Sequence, residues 1–212
     1  MAKTIVFRGK EKGDFPYYIA KSLASNKFKV AVIDNSYAKD LYESVHQYKD
    51  EEQSVEKESI VYIRDAEVDD SFLDKFDYVV YYMGLNEGEE PCEYSFILHD
   101  YSGTGIHKMK ETSKDLLDKS YFIMRDKVSN KVTERDVIKM LGINEDQVLG
   151  YIPLDDKDEI AYVNFSHTGR QRIKDTSVDM QLAVMSTLAI VTGDDMKTVK
   201  KYYRKAKRVR RF

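Results

Sequence analysis

Seven short runs of β-branched and aromatic residues recur along the chain with helix-period segments between them. This alternation restricts the available folds more than any other feature of the sequence. The runs are residues 4–7, 29–33, 60–63, 78–82, 94–98, 121–124 and 148–152. Each is apolar and largely non-alternating, as strands buried on both faces are. Between them, residues 15–25, 37–48, 68–75, 106–118 and 133–141 carry apolar side chains at helical spacing. Thr133 stands before Glu134 and Asp136, so acids fall in a first turn, and Gly142 follows Leu141 as a stop. The alternation predicts an α/β fold, a mostly parallel doubly wound sheet flanked by helices in three layers.

Two stretches break the rhythm. Residues 49–58 are acidic and nearly free of apolar side chains, and residues 84–91 are rich in Gly and Glu. Both read as surface loops. With 212 residues, 42% of them hydrophobic and 33% charged, the chain has enough apolar material for one globular core. One domain over residues 1–196 followed by a tail is the simplest division. The single Cys92 rules out an intramolecular disulfide and suits a reducing, cytoplasmic setting. No stretch approaches the roughly 18 apolar residues of a membrane span, and the first residues form no signal-peptide core.

In open parallel sheets ligands bind beyond the carboxyl ends of the strands, and the loop after the first strand is the usual phosphate cradle. Here that loop runs Gly9-Lys10-Glu11-Lys12-Gly13-Asp14-Phe15-Pro16-Tyr17-Tyr18. A working phosphate loop needs inward backbone N–H groups, a Lys for the β- and γ-phosphates and a Ser or Thr for Mg²⁺. Gly9 and Gly13 supply permissive backbone, but Pro16 and Tyr17 stand where the Lys-Thr pair belongs. Pro16 also lacks a donor, and Glu11 with Asp14 repels a triphosphate.

The order of these segments resembles the ParA/MinD group of P-loop ATPases. The family's strand, Gly-rich loop, helix with a Leu-Ala pair and strand ending in Ile-Asp correspond to Thr-Ile-Val-Phe-Arg, residues 9–18, residues 19–24 and Val-Ala-Val-Ile-Asp, which ends at Asp34. Residues 120–126 resemble its strand ending in Asn-Arg or Asn-Lys. Val-Leu-Gly-Tyr-Ile-Pro resembles its Gly-x-Ile-Pro segment, and residues 179–191 its closing helix. The resemblance covers nearly the whole chain and implies a P-loop fold. It also implies that the nucleotide site is degenerate. The family's phosphate-binding Lys falls at Pro16 and its signature Lys near Glu11. The acid ending its Walker B strand falls at Tyr82, the second acid after Ile-Asp at Ser36, and the nucleotide-contacting Asn at Arg125. Without these groups the resemblance implies no Mg-ATP hydrolysis and no cofactor. Another doubly wound fold, flavodoxin-like or Rossmann-like, fits the bare alternation as well.

Other chemistry is thinly signalled. His46, His99, His107 and His167 have no Cys or carboxylate cluster to complete a metal set, so no metal is expected. Ser102-Gly103-Thr104-Gly105 has the makings of an anion-binding turn, or more simply of a helix start capped by Thr104. The tyrosine pairs 17–18 and 81–82 fall where the family keeps its nucleotide chemistry, which suggests aromatic rings plugging the pocket.

Charge is distributed unevenly. Residues 197–212 hold nine cations and no acid: Lys197, Lys200, Lys201, Arg204, Lys205, Lys207, Arg208, Arg210 and Arg211. The remainder has 25 basic against 37 acidic residues, so a body of about −12 carries a tail of +9. Val199, Tyr202, Tyr203, Ala206, Val209 and Phe212 fall on one helical face of the tail. A basic amphipathic helix of this kind meets an anionic membrane, nucleic acid or an acidic protein surface, or is a solvated tail on the protein's own acidic body. The expected function is therefore a non-catalytic scaffold or spatial adaptor, cytoplasmic or peripheral at a membrane or nucleoid. It would dimerise and position partner proteins in secretion, pilus, conjugation or partition machinery. Two alternatives stay open. One is an atypical nucleotide-binding switch or ATPase using Lys10, Lys12 and Arg125 with ATP and Mg²⁺. The other is a DNA-binding partition component acting through the tail.

Overall fold

The computed structural model describes residues 2–47, 53–65, 69–86, 88, 90, 92–128 and 131–208; of residues 70, 108, 110, 207 and 208 it describes the backbone only. Among the described residues the strands are β1 (Lys3–Gly9), β2 (Val30–Asp34), β3 (Ser54–Lys57), β4 (Ile60–Arg64), β5 (Tyr78–Gly84), β6 (Tyr94–Asp100), β7 (Ser120–Lys127) and β8 (Val148–Pro153). They form one sheet in the order β3-β4-β2-β5-β1-β6-β7-β8. All neighbours are parallel except β3, which runs antiparallel to β4. Seven strands coincide with the seven apolar runs. The three-layer α/β architecture is the one expected.

The strand β3 corrects the reading of residues 49–58 as loop, over the part that is described. It pairs Ser54 with Ile63 and Lys57 with Ile60, and Glu58 and Ser59 turn the chain with φ of 54° and 62°. Two successive positive φ values are what a tight hairpin turn demands. An edge strand needs only one covered face, so a four-residue segment with Val55 as its one apolar side chain suffices.

The helices are α1 (Asp14–Ala24), α2 (Asp40–His46), α3 (Asp70–Leu73), α4 (Gly103–Glu111), α5 (Lys114–Lys119), α6 (Glu134–Leu141), α7 (Asp156–Thr168), α8 (Val178–Thr192) and α9 (Met196–Arg208). At α6 the expected ends are present, with a Thr133–Asp136 capping box and Gly142 at φ 68°. The segment 106–118 is two helices, because Ser113 leaves the helical region and caps α5 through the Leu116 amide. Ser102, not Thr104, caps α4, accepting from the Gly105 amide at 2.9 Å. The helix α7 had no periodic signal: its inward residues are Asp158, Ala161 and Phe165, while Ile160 and Val163 face outward.

Alternation along the buried strands divides the core between the two sheet faces. Ile5, Phe7, Val30, Val32, Val80, Tyr82, Phe96 and Leu98 pack with α1, α2, α8 and α9. On the opposite face Val6, Ala31, Ile33, Val79, Tyr81 and Met83 meet Leu73 of α3. Ile97, Phe122 and Met124 pack there with α4, α5 and α6 through Ile106, Leu117, Val137 and Leu141. Because the strands are parallel, the loops after β1, β2, β5, β6 and β7 gather at one end of the sheet. Among the described residues, no helix is long and apolar enough to cross a membrane.

Candidate functional site

The loop after β1, residues 10–13, lies at that gathered end. Gly9 begins it at φ +99°, where a β-carbon would come within 2.2 Å of the Leu98 carbonyl oxygen. Both the conformation and the close approach to β6 demand glycine. Gly13 differs from expectation: its φ is −71°, an ordinary right-handed value, so it supplies no special turn. Its service is room, since a β-carbon there would meet Leu41 Cβ at 2.6 Å. Its N–H opens α1 and donates to Asp40 Oδ2 at 2.7 Å. A carboxylate from the head of α2 thus sits on an amide at the α1 N-terminus, where a helix attracts anions.

Asp14 starts α1 and is buried, as is Arg125 at the end of β7. The guanidinium donates to both Asp14 oxygens, at 2.8 and 3.1 Å. Burial disfavours the charged guanidinium, but Asp14 and then Asp126 outweigh that and raise its pKa above the usual value. Asp126 stands at φ 58° and lies 2.7 Å from Lys10 Nζ and 3.4 Å from Lys12 Nζ. Burial opposes its ionisation, yet Arg125, Lys10 and Lys12 hold the carboxyl below its ordinary range. Lys12 also donates to Glu159 of α7 and lies over the Tyr162 ring at 5.2 Å. Lys10 reaches Asp100 as well, at 3.8 Å. All three cations proposed from sequence as phosphate contacts therefore face carboxylates of the chain itself.

Tyr82 in β5 lies between Phe7 of β1 and Asp34 of β2 and is fully buried. Burial, and then the charges of Asp40 and Asp34, push its phenol far above the usual range. Its ring fills space near the α1 head, next to Asp40, which also accepts from Tyr162 Oη at 3.2 Å. Tyr17 does not join it. Its hydroxyl donates to Glu58 at 2.9 Å and accepts from Lys21 Nζ at 2.9 Å, and its ring packs on Phe165 at 4.5 Å. Of the two pairs expected there, Tyr81 lies on the opposite sheet face from Tyr82, since successive strand residues alternate, while Tyr18 is buried and feels the charges of Asp14 and Arg125. Pro16, the third residue of α1, is in the first turn, where an N–H has no intrahelical acceptor.

Asp34 ends β2 fully buried. It accepts from the Ser36 amide at 3.0 Å, the Ser36 hydroxyl at 2.6 Å and the Tyr42 amide at 2.8 Å. Burial pushes its pKa up to about 6 against those hydrogen bonds. Ser36 is buried and receives the Lys39 amide at 3.1 Å, so the pair shapes the turn into α2. Sequence reading missed Asp40, Glu159 and Tyr162. Each reaches the loop from a distant helix, and none has a local motif; Asp126 alone was marked, by its position beside Arg125.

The segment 197–212, read as a tail, begins as α9, and its apolar stripe is not free. Val199, Tyr203 and Ala206 are buried within the main core, and Asn26 Nδ2 donates to the Tyr202 carbonyl at 3.2 Å. Lys197, Lys200, Lys201, Arg204 and Lys205 face solvent. The side chains of Lys207 and Arg208, and all of Val209, Arg210, Arg211 and Phe212, lie outside the described residues. Among the described residues, no group of three or more His, Cys, Asp or Glu is arranged to hold a metal ion.

No protein-family model matches the sequence, and no curated protein matches it either. Solved structures do. The MinD cell division protein of Aquifex aeolicus superposes with a TM-score of 0.67 at 16% identity, over 92% of this chain and 98% of that one. A ParA family ATPase from Chlorobium tepidum gives 0.52 at 9% identity, over 99% of both chains. The ATP complex of McdA from Cyanothece gives 0.55 at 12% identity, over 92% of this chain and 97% of that one. Chains so dissimilar in sequence share architecture and no more. The chain has the ParA/MinD fold, and the charges around its first loop are paired within the chain.

Proposed function

We propose that this chain is a non-catalytic ParA/MinD-like scaffold or spatial adaptor, which positions partner proteins and works without a nucleotide. One observation carries the reading: the Gly13 N–H at the α1 head, where a phosphate would lie, donates to Asp40 at 2.7 Å. The surrounding cations support it. A triphosphate would have to displace Asp126 and Glu159 from Lys10 and Lys12, and Asp40 from the Gly13 amide. Like charges at such distances cost several kcal/mol when partly desolvated. The same pairing disfavours the alternative of an atypical ATPase. Proteins of this fold include MinD in the MinC:MinD cell division protein complex of Aquifex aeolicus, and such pairing with another protein is the behaviour proposed here. Secretion, pilus, conjugation and partition machinery are the settings in view.

Titration calorimetry with Mg-ATP tests the reading. No saturable heat is expected, and sedimentation should be the same with and without the nucleotide. Saturable, Mg-dependent binding would overturn it.

A second observation adds a surface. With Val199, Tyr203 and Ala206 buried, α9 offers five described cations to solvent, so contact of its described part with DNA or anionic lipid would rest on charge.

A further inference from the structure

Glu11 is the one acid of the first loop whose partners are neutral. Its carboxylate accepts from the Tyr37 amide at 3.2 Å, the Ala38 amide at 2.9 Å and the Leu85 amide at 3.2 Å. Tyr37 and Ala38 belong to the loop after β2, and Leu85 to the turn after β5. One carboxylate from the loop after β1 therefore ties together the ends of three parallel strands. The cradle is shaped to its guest. Gly84 stands at φ +54°, and a β-carbon on it would come within 2.7 Å of Glu11 Oε1 and 2.9 Å of Ser36 Cβ. The two loops also meet where the Asn86 side-chain amide donates to the Asn35 carbonyl at 3.0 Å, and an open glycine wall with three converging N–H groups beside that link describes an oxyanion site.

In nucleotide-driven switches, two loops beside the phosphate loop are ordered by a terminal phosphate and released when it leaves. Here an equivalent convergence of amides is met by a side chain that cannot leave. We propose that the Tyr37, Ala38 and Leu85 amides form an oxyanion site, specific for carboxylate or phosphate oxygens, whose resident ligand is the Glu11 carboxylate. The loops after β2 and β5 are then held in one conformation permanently, with no exogenous anion. This rests on the reading that the first loop takes no nucleotide, and it adds what does the nucleotide's ordering work. It also gives a reason for an acid in a loop that would otherwise bind phosphate.

Hydrogen exchange of individual amides in the full chain tests the proposal. In Glu11→Ala, exchange at Tyr37, Ala38 and Leu85 is expected to speed up about tenfold or more, as for loss of a charge-assisted hydrogen bond. The Ser25 and Asp77 amides, which donate to the carbonyls of Lys21 and Lys29 away from these loops, serve as controls and should hold their rates. Sodium acetate or sodium phosphate should restore protection at the three amides, while sodium chloride at matched ionic strength should not. Should Glu11→Ala fail to fold, Glu11→Gln carries the same comparison, since a neutral amide keeps one acceptor and loses the charge. Unchanged exchange at the three amides overturns the proposal, and so does acceleration that no oxyanion reverses. The wild-type chain is measured with and without Mg-ATP in parallel. A response there would sink the nucleotide-free reading of the first loop, while the Glu11 comparison would still stand or fall by itself.

Discussion

Arg125 and Asp14 form a pair with almost no exposure, 0% and 1% of each side chain, and they fix the α1 head to the end of β7. Pairs of this kind contribute little net stability, but breaking one leaves an uncompensated buried charge. Arg125→Met is therefore expected to destabilise the fold by about 3–5 kcal/mol, and the double variant with Asp14→Asn should recover most of that loss. Urea unfolding of the parent, Arg125→Met, Asp14→Asn and the double variant decides it; an additive double variant would mean that the residues do not act as a pair. At this scale the sequence was only partly readable. That Pro16, Ser36 and Tyr82 stand at their positions was visible in the chain. The groups that meet the first loop were not, because Asp40, Glu159 and Tyr162 are brought to it by helices 27 or more residues away.

Elements whose burial follows one regular period were legible, and those with mixed faces were not. The seven buried strands announce themselves as apolar runs, and α6 by its caps. The helix α7 buries Asp158 beside Ala161 and Phe165 while showing Ile160 and Val163 to solvent, so its pattern averages out. The short edge strand β3 needs β4 to exist at all. The helix α9 was legible as an amphipathic helix, and Val199, Tyr203 and Ala206 of its stripe pack on the protein's own core. Val199→Asp should undock it, and limited proteolysis would then cut within residues 196–208 far faster than in the parent. Charge reversal at Lys200, Lys201 and Arg204 should leave α9 docked and abolish salt-sensitive retention on DNA or anionic vesicles. Retention that survives the reversal would remove α9 from the binding surface.

Stability against pH integrates the buried titrating groups of the whole molecule. Asp34 has a folded pKa raised to about 6, so its contribution is full below its unfolded value near 4 and is lost as pH rises through 6. His99 is opposite in sense. Burial lowers its pKa to about 4, so its contribution is present above about 6.5 and is lost as pH falls toward 4. Burial raises Asp40 and Asp158 as well, in the same sense as Asp34, so His99 opposes three carboxyls across this window, and stability is lost below it as Asp126 and Asp100 take up protons. In His99→Asn that opposing contribution is gone, and stability relative to the parent should rise by about 3 kcal/mol from pH 6.5 to 4. Equal pH profiles for the two chains would contradict this assignment. Taken whole, the sequence by itself determined the layered parallel sheet, since runs buried on both faces have few other destinations. It also determined which residue types occupy the first loop and the strand ends beside it, since residue identity alone decides that. Only the tertiary structure decided which distant groups meet them. Hydrogen bonds from Gly13 to Asp40, from Arg125 to Asp14 and from three amides to Glu11 join segments far apart in the chain. Pairing across such distances leaves no local pattern, because it is specified by the packing of the sheet that brings the loops together.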